Sequence, residues 1–201
     1  FAAIGSMGTL FLAMSSFAPQ PTAAALYYMV HSTLATAALF LIADMVLERR
    51  GSDSLAATRP PMAQGGLVAA LFFAAAIGMA GLPPLSGFIG KLLILDALRN
   101  TGPWVLAWVA ILGTSLIAIV GFSRAGSSLF WRAYASPAAP HEHPEHDTRA
   151  LPFIAVGALV AALAALTVFA GPVTRWMEST AAQVHDPLPY IEANALPQEE
   201  E

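Results

Sequence analysis

Long apolar runs separated by short polar breaks organise this chain. Residues 1–17 carry no charge, and Ala18-Pro19-Gln20-Pro21 ends the run, because two prolines in three positions cannot continue a helix. A second run covers 22–47 and closes at Glu48-Arg49-Arg50-Gly51; a polar loop follows to Arg59-Pro60-Pro61. The third run covers 65–98, the fourth 102–123 with an extension through Trp131-Arg132, and the fifth 151–170. Runs of this length read as membrane-spanning helices. The expected fold is all-α, a polytopic transmembrane bundle forming one domain over 1–176. A polar C-terminal tail is expected over 177–201, poorly ordered from Val184 onward, where Pro and Glu accumulate. The first run lacks the charged start of a signal peptide. It reads as the remainder of a truncated span, so the chain is expected to be a fragment of a larger fold.

The third run is too long for its task. A straight helix over 65–98 would measure about 51 Å, against about 30 Å of hydrocarbon. Inside it lies Gly81-Leu82-Pro83-Pro84-Leu85-Ser86-Gly87. Adjacent prolines remove backbone donors and push the preceding residue out of the helical region. The reading is a discontinuous helix: two halves joined by an unwound elbow, with Gly81, Pro83, Pro84, Ser86 and Gly87 as elbow residues. Irregular backbone at membrane depth is tolerated only inside protein or beside a wet cavity, so the elbow points to function.

Composition agrees and removes other classes. Hydrophobic residues make up 57% and charged residues 11% of the 201 residues, against about a quarter charged in a soluble domain. Cysteine is absent, which excludes disulfides, iron–sulfur clusters and thiolate metal sites. No basic run suggests nucleic acid. Alternating spans put Arg49, Arg50, Arg59, Arg124, Arg132 and Arg149 on one side and Arg99 and Arg175 on the other. The positive-inside rule makes the first side cytoplasmic and places the C-terminus outside the cytoplasm. Arg175 and Trp176 mark an interface anchor.

Lys91 is the only basic residue inside a span. Arg99 lies about 12 Å further along the helix, and half the hydrocarbon core is about 15 Å, so Lys91 falls near the midplane. A lysine there costs several kcal/mol unless it is paired, hydrated or neutral, and its stem is too short to reach a headgroup comfortably. His31 lies about 13 Å into the second span. The hydroxyls of Tyr28, Ser32 and Thr36 recur every fourth residue beside it, with Tyr27 and His31 as the adjacent stripe. Such a face points inward, and imidazole titrates near neutral pH. The bland alternative is small packing residues and one structural hydrogen bond. Asp44 reads as interfacial, and Asp96 lies off the face of Lys91. The loop 136–149, with His141-Glu142-His143-Pro144-Glu145-His146-Asp147, reads as a solvated linker, with weak metal binding a minority reading. No metal site and no cofactor are expected. The glycine pairs at 5 and 8, 78 and 81, and 87 and 90 read as close helix packing and elbow flexibility.

The segment Ala80-Gly81-Leu82-Pro83-Pro84-Leu85-Ser86-Gly87-Phe88-Ile89-Gly90-Lys91 closely resembles the broken helix of antiporter-like subunits. These include the D subunits of multisubunit Mrp (Pha-type) cation/proton antiporters and the homologous membrane subunits of respiratory complex I. Ala3-Ile4-Gly5-Ser6-Met7-Gly8 resembles the start of the family's tenth helix. Residues 31–40 resemble the histidine-bearing eleventh, and Ser123-Arg124 with Phe130-Trp131-Arg132 the cytoplasmic end of the thirteenth. The likeness runs in order from residue 1 to about 175. It implies that Lys91 is the terminal site of a chain of buried protonatable residues. Many relatives carry a lysine four residues after the eleventh-helix histidine. Aligned on Ala38-Leu39-Phe40, this chain has Thr36 there, Ser32 opposite the usual histidine and His31 one position early. The relay would then rest on His31, hydroxyls and water, a pattern nearer the Pha-type D subunits. The resemblance implies a multi-pass subunit of the bacterial inner membrane, working with other membrane subunits and exchanging Na+ or K+ for H+. The alternative it leaves is a proton-pumping membrane subunit of an NADH:quinone oxidoreductase or related quinone-linked complex.

Overall fold

The computed structural model describes residues 1–51, 54–55, 62, 64–100, 102, 104–132 and 150–194. Among the described residues there is no strand. In chain order the helices are α1 (Ala2–Met14), α2 (Pro19–Arg50), α3 (Gly65–Ala80), α4 (Ser86–Ala97), α5 (Trp104–Gly126), α6 (Ala150–Val168), α7 (Ala170–His185) and α8 (Leu188–Ala193). A π-helical turn, Ser127–Trp131, extends α5. By length and composition, α2, α5 with its π turn, and α6 are each long and apolar enough to cross a membrane; α1 and α3 are shorter apolar helices.

α2 is the hub. It opens on Pro19, whose fixed φ suits the first helical position. It closes on Gly51 in the left-handed region (φ 62°), with Arg49 and Arg50 in the last turn where the helix dipole favours cations. Between these ends it packs against α1, α3, α4, α6 and α7. Its buried residues include Ala23, Ala24, Ala25, Ala35 and Ala38. Lipid and protein are equally apolar, so helices associate by close packing, and small residues let the backbones approach.

The ends of the bundle are fixed by specific contacts. The Arg49 guanidinium lies 4.8 Å from the centroid of Phe153, near the start of α6. Phe72 and Phe73 of α3 meet Phe130 and Trp131 of the π turn at ring separations of 5.6 and 6.0 Å. At the other end the Tyr27 hydroxyl donates to the Leu166 carbonyl at 3.0 Å, so α6 runs antiparallel to α2. The outer face of α5 leaves Val105, Leu106, Val109, Leu112, Leu116, Ile117 and Val120 exposed, a surface for lipid or another apolar helix.

Three features differ from the sequence reading. The break before the second run lies at 15–18 rather than 18–21, because Pro19 and Pro21 sit in the first turn of α2, where a missing N–H costs nothing. The elbow is shorter than 81–87, because Ser86 and Gly87 already form the first turn of α4 behind an extended Leu85 (φ −84°, ψ 162°). The C-terminal region is also more structured than a polar tail starting at residue 177. α7 continues to His185, with Met177 and Ala181 buried against Ala23 and Tyr27 of α2. His185 Nε2 lies 2.9 Å from Thr22 Oγ1. Val173, Met177 and Ala181, four apart, form one stripe facing α2, half-buried at Val173 and buried at the other two, on a helix whose remaining faces mix polar residues with exposed Trp176 and Val184. The polar residues interspersed along it hide the helix from a reading by composition. The loop 136–149, Arg59, Arg149 and residues 195–201 lie outside the described residues.

Candidate functional site

The site is built by the way α3 ends. A helix terminus leaves four carbonyls without intrahelical partners. Here Gly81, at φ 79°, turns the chain into the left-handed region that glycine adopts without steric cost. The Gly81 N–H donates to the Gly78 carbonyl (3.0 Å) and the Leu82 N–H to the Ile77 carbonyl (3.1 Å). This is the Schellman closure. It satisfies Ile77 and Gly78 and leaves the carbonyls of Met79 and Ala80. Pro83 and Pro84 have no N–H to offer them.

Lys91, one turn into α4, fills that gap. Its Nζ donates to the Ala80 carbonyl at 2.9 Å, to the Met79 carbonyl at 3.5 Å and to Ser115 Oγ of α5 at 2.8 Å. Three acceptors match the three ammonium protons. Only 9% of the residue is exposed. Bonds to a charged donor contribute about 1.5–3 kcal/mol each, enough together to offset about 2.5–3.5 kcal/mol for a lysine at the centre of a spanning helix. The partial negative charge of the α3 C-terminus adds to this. Gly81 is required a second time, since a Cβ there would stand 2.7 Å from Lys91 Cδ.

His31 meets the same elbow from α2 and is fully buried. Its Nδ1 lies 2.9 Å from Ser86 Oγ, the first residue of α4. Its Nε2 is buried with no hydrogen-bond partner among the described residues. That nitrogen and the Gly78 carbonyl both occupy the space a Cβ on residue 87 would need, so Gly87 is what permits the approach. The tautomer protonated on Nε2 suits this setting: Ser86 then donates to Nδ1, and Nε2–H is presented beside a carbonyl rather than a bare lone pair.

The remaining candidates divide. Tyr28 is buried, with its ring 5.7 Å from that of His31 and its hydroxyl 3.1 Å from Ser6 Oγ. A cavity of about 500 Å³ between α1 and α5 is lined by Lys91, Tyr28, Ser6, Thr9 and Thr114 among apolar residues. His31 does not line it; its ring packs beside Tyr28 and is tied to α4 through Ser86. Ser32 is buried and Thr36 half-buried on α2, and neither lines the cavity. Asp96 pairs with Arg99 at 3.2 Å on an exposed face rather than with Lys91. Among the described residues no group of three or more His, Asp or Glu could hold a metal ion. Sequence reasoning missed Ser115 and the two carbonyls. The pair Thr114-Ser115 in the middle of an apolar span was the available signal; the carbonyls carry none.

These features define a class: a polytopic membrane protein with a broken helix that offers main-chain oxygens to a buried lysine. Residues 1–118 match the family described as NADH:quinone oxidoreductase/Mrp antiporter, TM, and the chain belongs to that family. It is 27% identical to the D subunit of the Na(+)/H(+) antiporter of Bacillus subtilis (strain 168), over 94% of this chain and 38% of that protein. It is 30% identical to the D subunit of a probable K(+)/H(+) antiporter of Rhizobium meliloti (strain 1021), over 96% of this chain and 40% of the other. It is 30% identical to NADH-quinone oxidoreductase subunit 13 of Thermus thermophilus, over 65% of this chain and 28% of that protein. The fold matches a chain of the Mrp complex from Dietzia sp. DQ12-45-1b with a TM-score of 0.70 and 24% identity, over 94% of this chain and 42% of that one. The chain thus spans about two fifths of the length of the antiporter relatives it matches.

Proposed function

We propose that this chain is part of the proton-translocating membrane subunit of a multisubunit monovalent cation (Na+ or K+)/proton antiporter. Lys91 is the central exchange site and His31 its neighbour in the relay. The carrying observation is the Lys91 ammonium, buried at the elbow and held, among the described residues, by neutral oxygens. Such a group can release its proton without breaking an ion pair. Ser6, Tyr28 and Thr114 line the cavity with hydroxyls that water can join, and Ser115 accepts from the ammonium. His31 reaches the elbow from α2 through Ser86. Ser32 and Thr36 extend the polar face of α2 beyond it. The extended match to antiporter D subunits supports this reading over the quinone-linked one. The similarity to a quinone oxidoreductase subunit keeps that alternative concrete, since the same site would serve a pump driven by electron transfer elsewhere.

In this reading the chain lies in the bacterial inner membrane among other membrane subunits. The end carrying Arg49, Arg50, Arg124 and Arg132 faces the cytoplasm. The test is cation-driven proton movement in everted vesicles containing the assembled complex. Lys91→Ala abolishes exchange with normal insertion. Lys91→Arg does the same, because guanidinium stays protonated. Wild-type exchange by Lys91→Ala overturns the proposal. Proton movement driven by quinone reduction, with no cation dependence, selects the alternative.

A further inference from the structure

We propose that Trp108 is a positioning residue for Lys91: its indole N–H, bonded to the Leu95 carbonyl, holds the end of the second half-helix against α5 and so keeps the lysine at Ser115 and the elbow. The inference rests on the antiporter reading and adds what aims its exchange site.

A half-helix has no helical continuity to fix its direction. α4 is cut off from α3 by the non-helical stretch around Pro83 and Pro84. Its 12 residues make about 18 Å of helix. Its far end is open in the same way as that of α3. The Leu98 N–H closes the Ile94 carbonyl at 3.0 Å, but the Arg99 N–H turns to the Asp96 carbonyl at 3.1 Å instead of that of Leu95. The Leu95 carbonyl is passed over, and a helix end leaves such groups to outside partners. Trp108 Nε1 of α5 donates to it at 2.9 Å. Each half-helix thus ends on a carbonyl closed by a side chain of another element, Ala80 by Lys91 and Leu95 by Trp108.

The two contacts with α5 lie on one face of α4, because Lys91 and Leu95 are four apart. Ser115 and Trp108 are two turns of α5 apart, about 10.5 Å. The Lys91 side chain, leaning toward the start of its helix, spans the difference in spacing. Ser115 is itself held, since its hydroxyl donates to the Ile111 carbonyl at 2.8 Å. In the relay the Lys91 contact is lost whenever the amine leaves Ser115. The Trp108 contact joins an indole to a main-chain oxygen, and neither moves a proton. It therefore persists and returns the amine to the same place.

An interfacial tryptophan needs no such role, and Trp104 fits that plainer description: it is 41% exposed, edge-on to the Trp108 ring. Trp108 differs. It is half-buried, it packs on the cluster that contains Ile94, Leu95 and Ile111, and its N–H is committed to α4.

Lys91 is the one lysine of the chain. Acetylation by a membrane-permeant N-hydroxysuccinimide ester, read from the mass of the peptide that contains it, therefore reports on this amine. The experiment compares acetylation rate and exchange at one pH in vesicles carrying the assembled complex. Trp108→Phe keeps a ring and removes the donor. It is expected to speed acetylation and lower exchange, each about three- to tenfold, the range for one interhelical bond lost in a bilayer. Trp108→Met, without ring or donor, is expected to act in the same directions and replaces phenylalanine if assembly suffers. Tyr27→Phe deletes a bond of like kind between α2 and α6 and is expected to leave acetylation unchanged, which separates aiming from general loosening. Acetylation at the wild-type rate in the Trp108 variants overturns the proposal, as does equal acceleration by Tyr27→Phe. Faster acetylation with wild-type exchange supports the tether and counts against Lys91 as the exchange site.

Discussion

Lys91 Nζ donates to the Ala80 carbonyl at 2.9 Å across an elbow that separates the two residues by eleven positions. One half-helix thereby supplies the cation and the other the oxygen. The bond exists because Pro84, four residues on, has no N–H to close the Ala80 carbonyl, and because the break brings the second half-helix, with Lys91, back to it.

Gly81 is the first position to test. Alanine there meets a φ of 79° and places its Cβ 2.7 Å from Lys91 Cδ. The backbone cost is about 1–3 kcal/mol, and relief requires moving the lysine. Gly81→Ala is expected to lower exchange about tenfold or more. Gly66→Ala, where a Cβ meets open space, is expected to leave it unchanged. Equal rates for the two variants in vesicles with equal protein would show that Lys91 does not need this cradle.

Ser86 fixes the His31 ring through the 2.9 Å contact to Nδ1. Ser86→Ala leaves a second buried ring nitrogen without a partner, at a cost of about 1–3 kcal/mol. The expected result is a shifted pH profile of exchange, with Ser86→Thr close to wild type. A profile unchanged by alanine would remove His31 from the relay.

Tyr27→Phe tests the fold rather than the site. It deletes the 3.0 Å bond to the Leu166 carbonyl, and interhelical bonds in bilayers contribute about 0.6 kcal/mol on average. A small drop in the thermal transition with retained exchange is expected. Loss of exchange at unchanged stability would place Tyr27 in the transport path.

Sidedness can be read by thiol labelling, since the chain has no cysteine. Cysteine at the exposed Arg132 is expected to react from the cytoplasmic side and cysteine at the exposed Glu192 from the other. Reaction of both from one side would refute the topology. Deleting 136–149 in the same background is expected to preserve exchange, and its loss with normal assembly would give that loop a function.

The broken helix was legible because two adjacent prolines inside an apolar run have few other meanings, and Lys91 because few residues are so costly at that depth. What holds Lys91 was not legible. Main-chain carbonyls have no signature in a sequence, and which of them stay free depends on a Schellman closure set by the geometry of Gly81. Ser115 looked like any small residue in a span. His31 stands out by its depth, yet its partner proved to be Ser86, placed by the fold rather than by spacing along α2. α7 escapes a sequence reading for a different reason: three apolar positions on one face are enough to dock it, and its remaining residues resemble a tail.

The midplane depth expected of Lys91 from its spacing to Arg99 has an electrical consequence. Moving a whole elementary charge across a membrane involves about 2.3 kcal/mol per 100 mV. A proton reaching a midplane lysine has crossed roughly half of that field, or about 1.2 kcal/mol per 100 mV. In the proposed relay, occupancy of this amine therefore responds to voltage as well as to proton concentration. An energised membrane would load or empty it with no change in the pH of either compartment.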